Sequence, residues 1–267
     1  MTYENDLDNK NRYVGDWKDG LFHGYGELYF DDSSDIEYYK GDFYQGLFHR
    51  HGRLRYRDGG YYEGEFNAVG VEGKTLQARF SMFGQRHGKG KRRWASGNTF
   101  EGEWRNDTMM EGRYFDVTHQ SNYVGTFKHD KKSGSGRETW RSPNGNKFQD
   151  PCLGWKHAAG GVLKYSGGFK DGFSSGKGIF QAPDGRKYDG EWKLGKPHGF
   201  GTMVFLRKFE FGDPSRMHIG KYESLYRPAK YAGCWKEGKK HGTGNLIFAD
   251  GSMKEVTYVE GVMIKDS

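Results

Sequence analysis

"YVGDWKDGLFHGYGELYF", residues 13–30, sets Tyr13 two positions before Gly15 and four before Trp17, then a Lys-Asp-Gly turn, then Gly24, Gly26, Leu28 and Phe30. Period two accounts for the spacing. In an extended chain successive side chains point to opposite faces, so Tyr13, Gly15 and Trp17 share one side and Val14 and Asp16 the other. Gly24, Gly26, Leu28 and Phe30 share a side in the same way. Two short strands joined by a glycine-containing turn read as a β-hairpin. Glycine is a poor strand residue and needs a reason to be there. The expected reason is a ring lying flat over the bare backbone of a neighbouring glycine.

The stretch recurs. Copies begin at Tyr13, Tyr39, Tyr62, Phe100, Tyr123, Phe148, Tyr165, Tyr188, Tyr231 and Lys254, and the intervals from 39, 100, 165 and 231 to the next start are all 23 residues. "YSGGFKDGFSSGKGIF" at 165–180 and "YDGEWKLGKPHGFGTMVF" at 188–205 are good copies. Others depart: Arg50 stands where the first glycine of the pair belongs, the copy at Phe100 is one residue short, the copy at Phe148 is degenerate, and the last, "KEVTYVEG", is half a unit. One hairpin alone is marginal in water, but hairpins laid edge to edge support one another as repeat arrays do. The expectation is an all-β fold, an elongated, open-ended single sheet of antiparallel hairpins over 13–261, with a polar extension at 1–12 and a tail at 262–267. Insertions near 67–83 and 206–230 break the period, and alternation in the second suggests two added strands. The ring-bearing face is expected to comprise Tyr13, Trp17, Tyr39, Phe43, Tyr62, Phe66, Phe100, Trp104, Tyr123, Phe127, Tyr165, Phe169, Tyr188, Trp192, Tyr231 and Trp235.

Composition agrees. Of the 267 residues 34% are hydrophobic and 16% aromatic, with 43 glycines and only six prolines, so the buried material is rings with glycine making room for them. Cys152 and Cys234 form no CxxC pair, which leaves a disulfide framework or zinc site without a basis. The polar opening and the lack of a long apolar run point to a soluble protein of a reducing compartment. The net charge of +7 suits an acidic partner, whether a nucleic acid, an anionic membrane or an acidic protein surface, and does not choose among them.

Enzyme readings do not survive the pattern. "GFSSGKG" at 172–178 resembles a phosphate loop, but it is short by one residue, lacks Ser or Thr after the lysine, and sits inside a hairpin. His23, His51, His87, His198 and His241 fall near one place in successive units, so they would stand in a row about 10 Å apart, too far to share a metal. The expectation is no catalytic residue, no metal and no cofactor. Basic residues crowd the expected hairpin tips: Lys89, Lys91, Arg92 and Arg93 in "GKGKRR", then Lys131, Lys132, Lys239 and Lys240. They either keep the edges soluble or form a stripe that binds an acidic partner. Phe80, Phe209 and Phe211 in the insertions are further candidates for partner binding. Nucleic acid is not expected, because the pattern assigns the aromatics to the fold.

These residues resemble the MORN repeat, whose signature is Tyr-x-Gly-x-Trp/Phe followed by His-Gly-x-Gly, and the resemblance runs from about Tyr13 to Gly261. It implies a non-catalytic scaffold that holds protein partners, with a cytoplasmic and cytoskeletal location. Stand-alone arrays similar in plan are found in radial spoke heads and protist cytoskeletons, which suggests a ciliary or flagellar axoneme. The alternative it implies is a phosphoinositide-binding tether between membrane and cytoskeleton. End strands with unpaired backbone groups also allow a homodimer, and the half copy at 254–261 reads as a cap or a dimer edge.

Overall fold

The computed structural model describes residues 3–6, 11–68, 84–141, 148–149, 156–157, 161–205 and 228–266, and among them every regular element is a strand. The chain divides into two compact units, Met1–Asp130 and Lys131–Ser267. Unit 1 contains β1 (Tyr3–Asp6), β2 (Arg12–Lys18), β3 (Leu21–Tyr29), β4 (Ile36–Tyr44), β5 (Leu47–Tyr56), β6 (Tyr61–Asn67), β7 (Gln85–Arg93), β8 (Thr99–Arg105), β9 (Thr108–Asp116) and β10 (Ser121–Lys128). Each pairs antiparallel with the next. Unit 2 contains β11 (Lys131–Arg141), β12 (Phe148–Gln149), β13 (Lys156–His157), β14 (Val162–Lys170), β15 (Phe173–Gln181), β16 (Lys187–Lys193), β17 (Lys196–Val204), β18 (Lys230–Lys236), β19 (Lys239–Ile247), β20 (Met253–Val259) and β21 (Val262–Asp266). Here β11 pairs directly with β14, and the ladder then runs in chain order to β21.

Two kinds of turn build the ladder. Within a hairpin both central residues have positive φ, as at Asp19 (53°) and Gly20 (75°), or Leu194 (50°) and Gly195 (79°). This is the type I′ geometry whose twist matches that of the flanking strands. Between hairpins the Asp-Gly sequences form wider turns, in which the N–H of Gly59 or Gly185 donates back to Tyr56 or Ala182. Hairpin-turn N–H groups reach further: those of Gly195, Gly238 and Gly261 donate to the carbonyls of Ser174, Pro197 and Lys240 in the preceding hairpin. Each turn is thereby tied to its neighbour.

The two glycines of the Gly-x-Gly pair serve different ends. The first lies at a bulge with positive φ, 62° at Gly24 and 63° at Gly199. The second joins a row of directly opposed glycines: Gly15, Gly26, Gly41, Gly52, Gly64, Gly90, Gly102, Gly112 and Gly125 across β2 to β10. A second row crosses β11 to β19 through Gly136, Gly167, Gly178, Gly190, Gly201, Gly233 and Gly244, and ends against Val256 of β20. A Cβ on Gly201 would lie 2.3 Å from the Tyr188 hydroxyl oxygen, and one on Gly26 2.4 Å from that of Tyr13. The rings therefore lie on bare main chain, as the spacing predicts.

Tyr13, Tyr39, Tyr62, Phe100, Tyr123, Tyr165, Tyr188 and Tyr231 are at most 1% exposed. Each hydroxyl among them donates to the carbonyl three residues on, with O···O distances from 2.9 Å at Tyr13 to 3.2 Å at Tyr231. Tyr13, Tyr39, Tyr62, Phe100, Tyr165 and Tyr188 also stand edge-on to the Trp or Phe of their own repeat and to that of the next. Tyr39 meets Phe43 at 5.0 Å and Phe66 at 5.3 Å; Tyr188 meets Trp192 and Trp235, both at 5.2 Å. Edge-to-face contact is the favoured geometry for neighbouring rings.

Three expectations need correction. Phe148 does not open a repeat: β12 and β13 pair only with each other, and the glycine row passes straight from β11 to β14, so 142–160 is a further insertion. The residues expected as a tail form β21 and complete the last hairpin, so the closing copy is no half unit. Within the N-terminal extension Tyr3–Asp6 pairs with β2. The two strands expected in 206–230 fall mostly outside the described residues.

Gly201→Ala is expected to lower stability by about 1–3 kcal/mol through overpacking, whereas Tyr188→Phe, which keeps the ring and loses one hydrogen bond, should cost about 1 kcal/mol. Urea denaturation midpoints order the two. Arg50 is exposed and occupies the bulge position at φ 49°, where glycine stands in the other units named above. Arg50→Gly should raise stability by roughly 0.5–1 kcal/mol, because a side chain in the left-handed region costs energy that glycine avoids. A lowered midpoint would count against that reading.

Candidate interaction surface

The strands present two unlike faces. One carries the rings and glycines just described. The other carries the alternate residues, and on it charges oppose one another across strands: Glu27, Lys40, Arg53, Glu63, Lys91, Glu101 and Arg113 are successive register partners. Glu27 and Lys40 pair at 3.0 Å, with Tyr29 donating to the same carboxylate, and Arg53 and Glu63 lie 3.9 Å apart. The Tyr29 and Lys40 contacts hold the Glu27 carboxyl below its usual range.

Carboxylates before the pattern Trp or Phe have a structural task. Glu65 accepts the Lys89 N–H at 3.0 Å, Asp42 that of His51 at 3.3 Å and Glu191 that of Phe200 at 3.4 Å. These N–H groups belong to residues one or two positions beyond the bulge, so the carboxylates tie the bulge to the strand beside it.

Several basic residues lie elsewhere than the tips. "GKGKRR" is inside β7, where Lys89 faces Glu103 and Lys91 faces Glu101, with Arg93 exposed beside them. Arg92 points to the ring face and is 7% exposed, its guanidinium carbon 3.7 Å from the Tyr56 ring centroid. It occupies a place held by Leu28, Leu54, Phe180, Met203 and Leu246 in other units. Burial lowers its pKa, and its Nε and Nη1 have no hydrogen-bond partner among the described residues.

Lys132 and Lys240 are also folded in. Lys240 Nζ is 4.9 Å from the Tyr231 ring centre, 4.7 Å from Tyr258 and 4.8 Å from Phe205, and burial lowers its pKa. In the first two units this place belongs to Phe22 and Phe48, which stack on Tyr13 and Tyr39 at 4.0 and 3.6 Å. Arg86 fills it in the third, 4.4 Å from Trp104. A long cationic side chain here is a cover for the ring, held by cation–π attraction and an apolar stem. Lys132 pairs with the buried Glu138. Lys131 and Lys239 do flank tips and are exposed, with Lys239 3.5 Å from Glu260. Phe80, Phe209 and Phe211 lie outside the described residues.

The histidine row is shifted in one unit. His49, not His51, pairs with the residue before the pattern aromatic, as His23 does. The Tyr44 ring lies 5.4 Å from both His23 and His49. Among the described residues no group of His, Cys, Asp and Glu is placed to hold a metal. "GFSSGKG" runs from a hairpin turn into β15, with Lys177 opposite Glu191 on the strand beside it. Missed in the sequence were Tyr25, Tyr29, Tyr38, Tyr44 and Tyr61, which lie off the ring face. Tyr38 and Tyr61 each precede a pattern tyrosine, and that odd parity was the one signal of their place.

Burial raises the pKa of Tyr13 and of Tyr231 to about 12, with Asp16 and Cys234 respectively adding to the effect. Tyr39, Tyr62 and Tyr188 are pushed higher still by burial.

Single-layer hairpin ladders with one face given to rings and the other to paired charge define a repeat protein of the kind that works through its surface. The chain belongs to the MORN-repeat family: the MORN repeat matches at residues 13–34, 39–61, 82–99, 100–116, 123–142, 165–185, 188–205 and 231–253, more than half of the chain. Repeats of this family mediate contacts with proteins or membrane lipids. The search of curated proteins found no match to the chain.

A neutral phenol is the protonated form, so tyrosines with raised pKa contribute stability in full below about pH 10 and lose it as pH rises toward about 12. Stability followed by circular dichroism should therefore hold up to pH 10 and fall steeply above it, with tyrosinate absorbance rising in step. Full tyrosine ionisation near pH 10 without loss of structure would contradict the burial.

Proposed function

We propose that this chain is a non-catalytic scaffold that positions protein partners on the cytoskeleton, as a component of the ciliary or flagellar axoneme. The observation that carries the scaffold reading is the open face, a polar surface on which Glu27–Lys40 and Arg53–Glu63 pair charges across neighbouring strands. Mixed-charge, tyrosine-bearing surfaces suit protein recognition, where rings supply contact area and charges set register. The axonemal placement rests on likeness of plan to the repeat arrays of radial spoke heads and protist cytoskeletons.

Membrane tethering is the second reading. Exposed Lys193, Lys196, Lys236 and Lys239 flank two neighbouring tips of unit 2. Glu237 lies in one of those turns, and Glu260 offsets Lys239 from the next. Each unneutralised lysine would contribute about 1 kcal/mol at an anionic surface, and salt would weaken it.

Proximity labelling with the tagged chain in ciliated cells separates the two. Enrichment of axonemal proteins and a tagged signal along the cilium are expected. Labelling confined to membrane proteins, together with flotation on phosphoinositide vesicles that Lys193→Glu/Lys236→Glu abolishes, would replace the scaffold with the tether.

A further inference from the structure

Two residues past the glycine that joins the row, the second strand of each hairpin sends a side chain to the ring face. On β3, β5, β7, β9, β11, β15, β17 and β19 this place is held by Leu28, Leu54, Arg92, Tyr114, Glu138, Phe180, Met203 and Leu246. Most of these are apolar, and two of the three polar ones have partners. The Tyr114 hydroxyl accepts a hydrogen bond from the Asn98 amide at 2.8 Å, and Glu138 pairs with Lys132. Arg92 is different. It is 7% exposed, and its Nε and Nη1 are buried without an acceptor among the described residues. Asp58, whose charge reaches it through space, accepts the Gly60 N–H at 2.7 Å instead.

Nothing in the hairpin requires a cation at this place. A buried guanidinium with unmet N–H groups destabilises the chain that carries it, because the loss of hydration is not compensated. Leu54 and Met203 fill the same place in other hairpins without that cost. The surroundings of Arg92 suit a ligand. Its guanidinium carbon lies 3.7 Å from the Tyr56 ring centre and 5.7 Å from that of Trp94, and both rings are half-buried. Trp94 in turn meets Tyr114 edge-on at 5.8 Å. Tyrosine, tryptophan and arginine are the side chains that contribute most to protein-binding sites. Rings against a guanidinium hold its plane and leave its N–H edge for a planar oxyanion.

We infer that Arg92, Tyr56 and Trp94 form an anchor site for a carboxylate side chain of a protein partner. The unmet groups select the occupant: they are N–H donors on a cation, which a carboxylate both bonds and neutralises. Rotation about the last bonds of the arginine turns its free nitrogens toward the accessible edge without moving the strand. The two rings then cover the apolar part of the acidic residue and its neighbour in sequence. The same pairing already exists with charges reversed at Glu138, which Lys132 satisfies from within the chain. A phosphate fits less well, since it brings close to two negative charges beside Asp58. The inference rests on the protein-scaffold reading and names the anchor and the chemistry that it takes.

Display of a random peptide library against the full chain tests it. Peptides with Asp or Glu next to an aromatic or apolar residue should be enriched, and their affinity should fall about tenfold or more for Arg92→Met. The same variant should unfold at a higher urea concentration than the parent, because it removes a buried cation and supplies the side chain found at Met203. Lost binding together with gained stability is an outcome that a purely structural arginine does not give. Arg92→Lys, which keeps the charge but not the planar fork, should also weaken the peptides, whereas Lys193→Gln at an exposed tip should leave them unaffected. A lowered midpoint for Arg92→Met, peptide affinity indifferent to Arg92, or Arg92-dependent flotation on phosphoinositide vesicles in place of peptide binding would each overturn the proposal. Equal axonemal labelling by the parent and Arg92→Met would also reject this anchor, yet leave the scaffold reading standing.

Discussion

A tyrosine ring resting on glycine backbone is the contact from which the rest of this structure follows. Space for the ring exists only where two strands oppose glycine to glycine, since a Cβ on Gly178 or Gly201 would lie 2.3 Å from a tyrosine hydroxyl oxygen. The hydroxyl then bonds the carbonyl three residues on, fixing the strand where it enters the bulge. Within each unit the rings of successive repeats meet edge to face, so a hairpin completes the burial of its neighbour's tyrosine. Three tryptophans add a donor: Trp104, Trp192 and Trp235 reach the carbonyls of Gly90, Gly178 and Gly201. A sheet one layer thick obtains a dry interior by this means, although 34% of its residues are hydrophobic.

Confining the core to one face releases the other. Its residues need only tolerate strand geometry, and the two units use that freedom differently. Unit 1 sets charged residues opposite one another across its strands and places tyrosines among arginines. Unit 2 carries more neutral side chains there, with Phe200 58% exposed and opposite the exposed Cys234. Recognition specificity in such an array is written in residues that the repeat pattern leaves undetermined.

Charge was the part of the sequence most easily misread. "GKGKRR" looks like a basic tip because lysines do flank the true tips, but parity assigns Lys89 and Lys91 to the open face opposite glutamates and Arg92 to the rings. Lys132 and Lys240 follow exposed lysines at a turn, yet each lies over or beside the core of its hairpin. Composition cannot separate a solvated lysine from one covering a ring; only the identity of its neighbours in space can. The histidine register slipped for a related reason, since Arg50 in the glycine position obscured which of His49 and His51 matches His23.

The sequence by itself determined the hairpin, its period, the buried rings and the purpose of glycine. All are consequences of local spacing in an extended chain, where every second residue shares a face. It could not determine which copies join the ladder, as at Phe148, nor which cations are free, because both depend on the strand that lies alongside. Register between strands distant in sequence made those choices, and with them the seating of Arg92 against Tyr56 of the preceding hairpin. No single repeat contains that contact; pairing assembles it across hairpins.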